Sequence, residues 1–235
     1  MTDEPLVRLH REGGIAHVVL DSPDTGNRVT HQMITELIDR LDAAAGSDVL
    51  LIGANGDDFS LGRDQSQRPP GVSSRDALDL ILGVNQRIAD FAGVSVALVA
   101  GRALGFGSGL AVQCDITVVA DNAVLGFDEI THGFPPLIVQ SYLDRYLPRK
   151  AVLDLVLTGR SVAAEEARAL GMASRVVAVG ELEPEGARIC AALCDSNTSA
   201  LRRAKSFLVE IEEVPVPQRP AYGARELVSW RSHEG

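Results

Sequence analysis

The sequence predicts an α/β chain with stacked ββα turns over residues 1–136 and a helical region over 137–235. Three observations predict it. Short apolar runs of strand character come in pairs, and each pair is followed by a segment of helical period. The stretch "GRALGFGSGL" (101–110) places four glycines between two apolar runs, "GVSVALVA" and "AVQCDITVVA". Past residue 137 strand-like runs nearly vanish, "SRVVAV" being the exception, and helical segments succeed one another.

Each element follows from local pattern. "LVRLHRE" and "IAHVVLD" flank Gly13-Gly14, which reads as a β-hairpin around a two-residue turn. "SPDTGNRVT" is turn chemistry. From His31 to Ala45, Met33, Ile34, Leu37, Ile38 and Leu41 repeat with helical period. "DVLLIGA" is a short buried strand, and "NGDDFSLGRD" turns into a second short strand ending in glycine. "QSQRPPGVSS" reads as a loop. Ser73 or Ser74 caps the next helix, whose apolar face is Ala77, Leu80, Ile81, Val84, Ile88 and Phe91. The strand "VSVALVA", the glycine-rich loop, the strand "ITVVA" and "AVLGFDEI" follow. Helices are expected at about 138–147, 149–157, 163–170, 181–195 and 197–212. "VPVPQRP" then breaks the chain before a short helix, "ARELVSW".

Composition narrows the chemistry. A formal net charge of -10 and 4% aromatic residues suit neither phosphate tracking nor base stacking on a nucleic acid. No apolar run reaches the ~18 residues of a membrane span. "MTDEPLVRLHREGG" at the N-terminus lacks the apolar core of a signal peptide. Cys190 and Cys194 are spaced as one helical turn, and Cys114 stands apart; a reduced, cytoplasmic setting is the expectation. His10, His17, His31, His132 and His233 are scattered without metal-ligand spacing, so no metal is expected. "GFGSG" is neither the dinucleotide fingerprint nor a phosphate loop. Ser108 lacks the flanking glycines of a nucleophile elbow.

Four segments, in order, resemble the crotonase superfamily, also called the enoyl-CoA hydratase/isomerase family. "FSLGRD" (59–64) is similar to the family's F-x-A-G-x-D. "ALGFGSGLAVQCDITVVA" is similar to its A-x-G-G-G-x-x-L-A-x-x-C-D. "AVLGFDEITHGFPP" is similar to its A-x-F-x-x-P-E-x-x-x-G-x-x-P, and "LTGRSVAAEEARALGMASRVV" to the stretch that follows in the family. The likeness runs from about residue 6 to 232. It implies the crotonase (ClpP-like) spiral of ββα turns, with oxyanion-hole loops in residues 1–136 and an oligomerising, pocket-closing helical part in 137–235. It also implies an acyl-CoA thioester as substrate, no separate cofactor, and a homotrimer or hexamer.

Carried over by position, the resemblance places an oxyanion hole at the backbone N–H groups of Arg63 and Phe106. Fixed donors in a dry site stabilise the enolate that forms when a proton leaves the carbon beside a thioester. Glu129 matches the second glutamate of the family's hydratases, whereas the first is replaced by Gly109. One carboxylate suffices to move a proton between two carbons, so the resemblance is closest to single-glutamate isomerases. The substrate-binding set it implies is Asn27, Arg28, Val29, Ser60, Gly62, Asp64, Gly105, Gly107, Gly109 and Phe134. Asp64 and Asp115 also read as structural, through local hydrogen bonds to backbone. Asp128 is expected to point away from its neighbour Glu129, as adjacent residues do in extended chain. Two alternatives stay open: a hydratase using Asp128, His132 or an acid from elsewhere, and a catalytically silent partner or ligand-binding subunit of the same fold. "NRVT" departs from the family's usual N-x-L/M near the adenine end of CoA. The chain stops at "SHEG", about where the family's last helix would continue.

Overall fold

The computed structural model describes residues 4–64 and 69–234, with side chains as far as residue 232. Strands β1 (Val7–Glu12) and β2 (Ile15–Leu20) form the expected hairpin, with Glu12 opposite Ile15 across the Gly13-Gly14 turn. Helix α1 (His31–Ala44) starts where the Thr30 side chain accepts a hydrogen bond from Met33 N. Its buried residues Met33, Ile34, Leu37, Leu41 and Ala44 recur at helical spacing. Strand β3 (Val49–Ala54) lies parallel to β2. Of the expected loop "QSQRPPGVSS", residues 65–68 lie outside the described residues. Ser73 caps α2 (Ser74–Ala89) through a reciprocal pair with Asp76.

The next turn of the spiral shows the architecture. Strand β4 (Val94–Val99) joins the large sheet, β5 (Arg102–Leu104) joins a second, smaller one, and α3 (Phe106–Gln113) returns the chain. Strands β6 (Ile116–Ala120) and β7 (Val124–Gly126) repeat the division. Helices α4 (Leu137–Leu143) and α5 (Arg149–Thr158), strand β8 (Ser161–Ala163), helix α6 (Ala164–Leu170), strand β9 (Arg175–Val177) and helix α7 (Leu182–Cys194) follow. The large sheet has the order β1-β2-β3-β4-β6-β9, parallel except for β1; the small one has the order β5-β7-β8. Every residue of β4 is buried, as a parallel strand covered on both faces requires. Helix α7 covers the sheet at β3, β4 and β6, and α1 packs against β1, β2 and α2.

Three differences from the sequence reading have physical causes. The second strand expected at "FSLG" shrinks to isolated parallel bridges, Ser60 to Ala103 and Val29 to Arg63, because Gly62 turns the chain away. Strand β8 was not expected; its three residues pair antiparallel with β7 directly before a strong helix-forming run. The last helix is longer than "ARELVSW" and spans Arg219–Glu234, with Pro220 in its first turn, where a missing N–H costs nothing.

The chain divides into compact units at 196/197, later than the 136/137 boundary read from sequence. Within residues 1–196, α4 to α6 share a buried core with the spiral: Val139, Leu143, Val152, Leu155 and Ala167 cluster with Phe106, Leu110 and Leu125. The second unit contains α8 (Thr198–Glu210) and α9 (Arg219–Glu234). There Phe207 stacks on Tyr222, and Arg203 bridges Glu210 and Glu226.

Asp115 is structural, as its motif suggested. Its Oδ2 accepts hydrogen bonds from Ser95 N at 2.7 Å and Ser95 Oγ at 2.9 Å, at a fully buried serine. Asp115→Ala should therefore cost about 1–3 kcal/mol and lower the melting temperature by several degrees. Ser108→Ala provides the contrast in the same thermal-denaturation series. The Ser108 hydroxyl is buried without a hydrogen-bond partner among the described residues, so its removal should leave the melting temperature unchanged or raise it.

Candidate functional site

Two backbone segments meet at the core of the site. Gly62 has φ 79°, and a methyl group there would come within 2.9 Å of the Leu104 carbonyl oxygen. Gly105, with φ 50° and ψ -115°, sits where only glycine is comfortable. At Gly107 a methyl group would press on Ser60 Cβ at 2.7 Å. The segments 60–63 and 104–107 thus touch main chain to main chain.

Hydrogen bonds fix how each segment faces. Val29 N donates to Gly62 O and Asp64 N donates to Val29 O, both at the Val29–Arg63 bridge. In a parallel ladder that pattern turns the N–H of the bridging residue, Arg63, away from Val29. Phe106 opens α3, and the first intrahelical bond runs from Gly109 N to Gly105 O. The N–H groups of the turn before it, Phe106 among them, point out of the helix start, where the peptide dipoles place partial positive charge.

Glu129 lies against this junction. A methyl group on Gly105 would be 3.2 Å from Glu129 Oε1, while Oε2 is buried with no hydrogen-bond partner among the described residues. Burial pushes the Glu129 carboxyl up from its ordinary range; its own backbone N–H opposes this, Asp128 adds to it, and His132 opposes it. Asp128 does not point away, as extended chain would have it. Its backbone is at φ -92°, ψ 6°, and a 3-10 turn (Glu129–His132) begins immediately, so both carboxylates line one cavity. Asp128 Oδ2 lies 3.3 Å from His132 Nε2.

The cavity measures about 670 Å³. Arg28, Val29, Gly62, Arg63, Asp64, Gly105, Phe106, Glu129 and Phe134 line it together with apolar side chains of α1, α2 and α4. Phe134 stands half exposed. Phe106 turns its ring into the core, and only 8% of the residue is exposed. Four expected residues lie behind the wall. Asn27, fully buried with φ 51°, donates from Nδ2 to Asn55 O and Asp58 O and accepts from Ser22 N. The Ser60 hydroxyl donates to Asn27 O and accepts from Gly62 N. Gly107 is closed off by Ser60, and Gly109 by Tyr142. Sequence reasoning missed Tyr142. Nothing local marks it, since its place over Gly109 arises from packing between α3 and α4. Among the described residues, no group of three or more His, Cys, Asp or Glu side chains could hold a metal ion. No helix there is long and apolar enough to cross a membrane.

Comparison with known proteins agrees with this geometry. The sequence profile of the enoyl-CoA hydratase/isomerase family matches residues 10–230. A candidate enoyl-CoA hydratase of Thermus thermophilus is 31% identical over 209 residues, covering 85% of this chain and 82% of the relative. An enoyl-CoA hydratase crystal structure from Mycobacterium smegmatis superposes with a TM-score of 0.87 at 22% identity, covering 96% of this chain and 91% of that one, which establishes the fold. A candidate enoyl-CoA hydratase of Thermobifida fusca, solved in complex with CoA, gives a TM-score of 0.86 at 27% identity over 97% of this chain and 94% of its own.

The position of Glu129 has a consequence for stability. An acid whose pKa is raised by folding binds its proton more tightly in the native state, so ionising it destabilises that state. Its contribution is therefore full below the ordinary glutamate pKa and is lost as pH rises through the elevated native value. Glu129→Gln mimics the protonated form. It should melt higher than the wild type at neutral pH, and the gap should close as pH falls below the ordinary carboxylate range. Melting curves of both proteins across that range check the sign.

Proposed function

This chain belongs to the enoyl-CoA hydratase/isomerase family of acyl-CoA enzymes, and from that premise we propose that it moves the double bond of an enoyl-CoA thioester. The observation that carries the reading is the Glu129 carboxylate beside Gly105, its Oε2 buried without a hydrogen-bond partner among the described residues, while α3 has glycine and no carboxylate at position 109. The thioester oxygen lies at the N–H groups of Arg63 and Phe106. Glu129 takes a proton from C2 of a 3-enoyl thioester, and the C–H electron pair moves through the C1–C2 bond onto the thioester oxygen. The dienolate is held by fixed donors. Glu129 then returns the proton at C4, leaving the double bond between C2 and C3. A carboxyl whose pKa is already raised is suited to both halves of this transfer. Arg28 and Arg63, at the cavity, supply positive charge for the CoA phosphates in a chain of net charge -10.

A second reading, hydration of a 2-enoyl-CoA, is favoured by Asp128 and His132, which line the same cavity within hydrogen-bond reach of each other. The homotrimer or hexamer belongs to the proposal as well. Leu208, Val209, Leu227 and Val228 are exposed apolar side chains in the C-terminal unit, the kind of surface that association covers.

Glu129→Gln should lower isomerisation by ~10²–10⁴-fold while CoA-ester binding survives, because the oxyanion donors are main-chain groups. The wild type should convert a 3-enoyl-CoA to its 2-enoyl isomer faster than it hydrates the latter. Fast hydration with negligible isomerisation would hand the assignment to the second reading. Binding without turnover of any thioester would indicate a silent subunit. Sedimentation at micromolar concentration should give a trimer or hexamer, and a monomer would refute the assembly.

A further inference from the structure

The space over Gly109 is already taken. A methyl group at this position would run into the Tyr142 hydroxyl, with Val139 Cγ2 4.0 Å away. Tyr142 reaches this point from α4, with its ring packed against the core. It lines the same cavity as Glu129. Burial, and then the negative charge of Glu129, push the phenol pKa upward, so the group is neutral wherever the enzyme works.

We infer that Tyr142 is a specificity-determining residue that keeps added water out of the reaction. This rests on the reading of Glu129 as the proton shuttle. Hydration of a 2-enoyl thioester forms a bond between a water oxygen and C3 while the C2–C3 π pair moves onto the thioester oxygen. The water gives one proton to a base, and C2 receives one from an acid. Both the water and the acid need room on the α3 side of the acyl chain. The Tyr142 ring and hydroxyl fill that room, and Gly109 leaves α3 flat enough for them to do so. The dienolate is then resolved by proton return from Glu129 alone. A glutamate at position 109 would not by itself create a hydratase, because its first carbon would collide with Tyr142.

The test is the ratio of 2-hexenoyl-CoA hydration to 3-hexenoyl-CoA isomerisation, both measured on one preparation so that any misfolded fraction cancels. Tyr142→Ala should raise the ratio by roughly tenfold or more, and Tyr142→Ala combined with Gly109→Glu should raise it further. Gly109→Glu alone should leave the ratio low and depress the melting temperature. A ratio that stays at the wild-type value in the double variant overturns the role of Tyr142. So does a fall in the ratio on Tyr142→Phe, which would mean that the hydroxyl holds the water it is inferred to exclude. A wild type inactive on both esters overturns the shuttle reading and this inference together. A wild type that isomerises, with a ratio deaf to these substitutions, overturns this inference alone.

Discussion

The approach of two stretches of main chain, 60–63 and 104–107, without an intervening side chain is the constraint on which the site depends. A methyl group at Gly62 would crowd the Leu104 carbonyl, and one at Gly107 would crowd Ser60. The contact is strengthened from behind. Ser60 ties the Gly62 amide to Asn27 O, and the Asn27 side chain spends both amide hydrogens and its oxygen on neighbouring backbone. Asn27 tolerates its left-handed φ because its short polar side chain satisfies those partners. Rigidity at the Arg63 and Phe106 peptides is therefore produced by residues that never face the cavity. Donors fixed in this way need no reorganisation when charge develops on a ligand oxygen.

Electrostatics in the cavity follow from that geometry. In a chain of net charge -10, the opening turn of α3 provides local positive potential without a basic side chain. Glu129 sits beside it but is partly cut off from water, and it has Asp128 as a like-charged neighbour. Burial and the like charge both favour its neutral form, and its own backbone N–H only partly offsets them. A carboxyl whose pKa is raised has its neutral form brought closer in free energy to its ionised form than an ordinary carboxylate has.

Much of this was legible in the sequence. The hairpin, α1, a serine cap at the start of α2 and the short buried strands followed from period, caps and turn residues, because each of those signals is local. The loops around Arg63 and Phe106, and Glu129 itself, stood out through their resemblance to known motifs, and the structure brings these three residues to one cavity. What escaped was tertiary. Asn27 read as a ligand-contacting residue and proved to be a fully buried brace. Asp128 shares the cavity because the backbone coils at Glu129 where extended chain was assumed. Strand β8 is specified by its partner β7 more than by its own three residues. Tyr142 had no readable role, since a tyrosine in an amphipathic helix says nothing about the glycine it will cover.

The sheet order carries a kinetic consequence. The cavity draws on segments from Arg28 to Tyr142, held by parallel strands whose partners are joined through intervening helices. Nothing in it can assemble from one local stretch. Loop-closure entropy must be met repeatedly before the Gly62–Leu104 contact exists, and folds dominated by such non-local pairing reach the native state slowly. During synthesis the pocket cannot close until α4 has emerged from the ribosome. A nascent chain ending earlier would leave α3 without the α4 side chains that pack against it, an interval of exposed apolar surface in which aggregation is favoured.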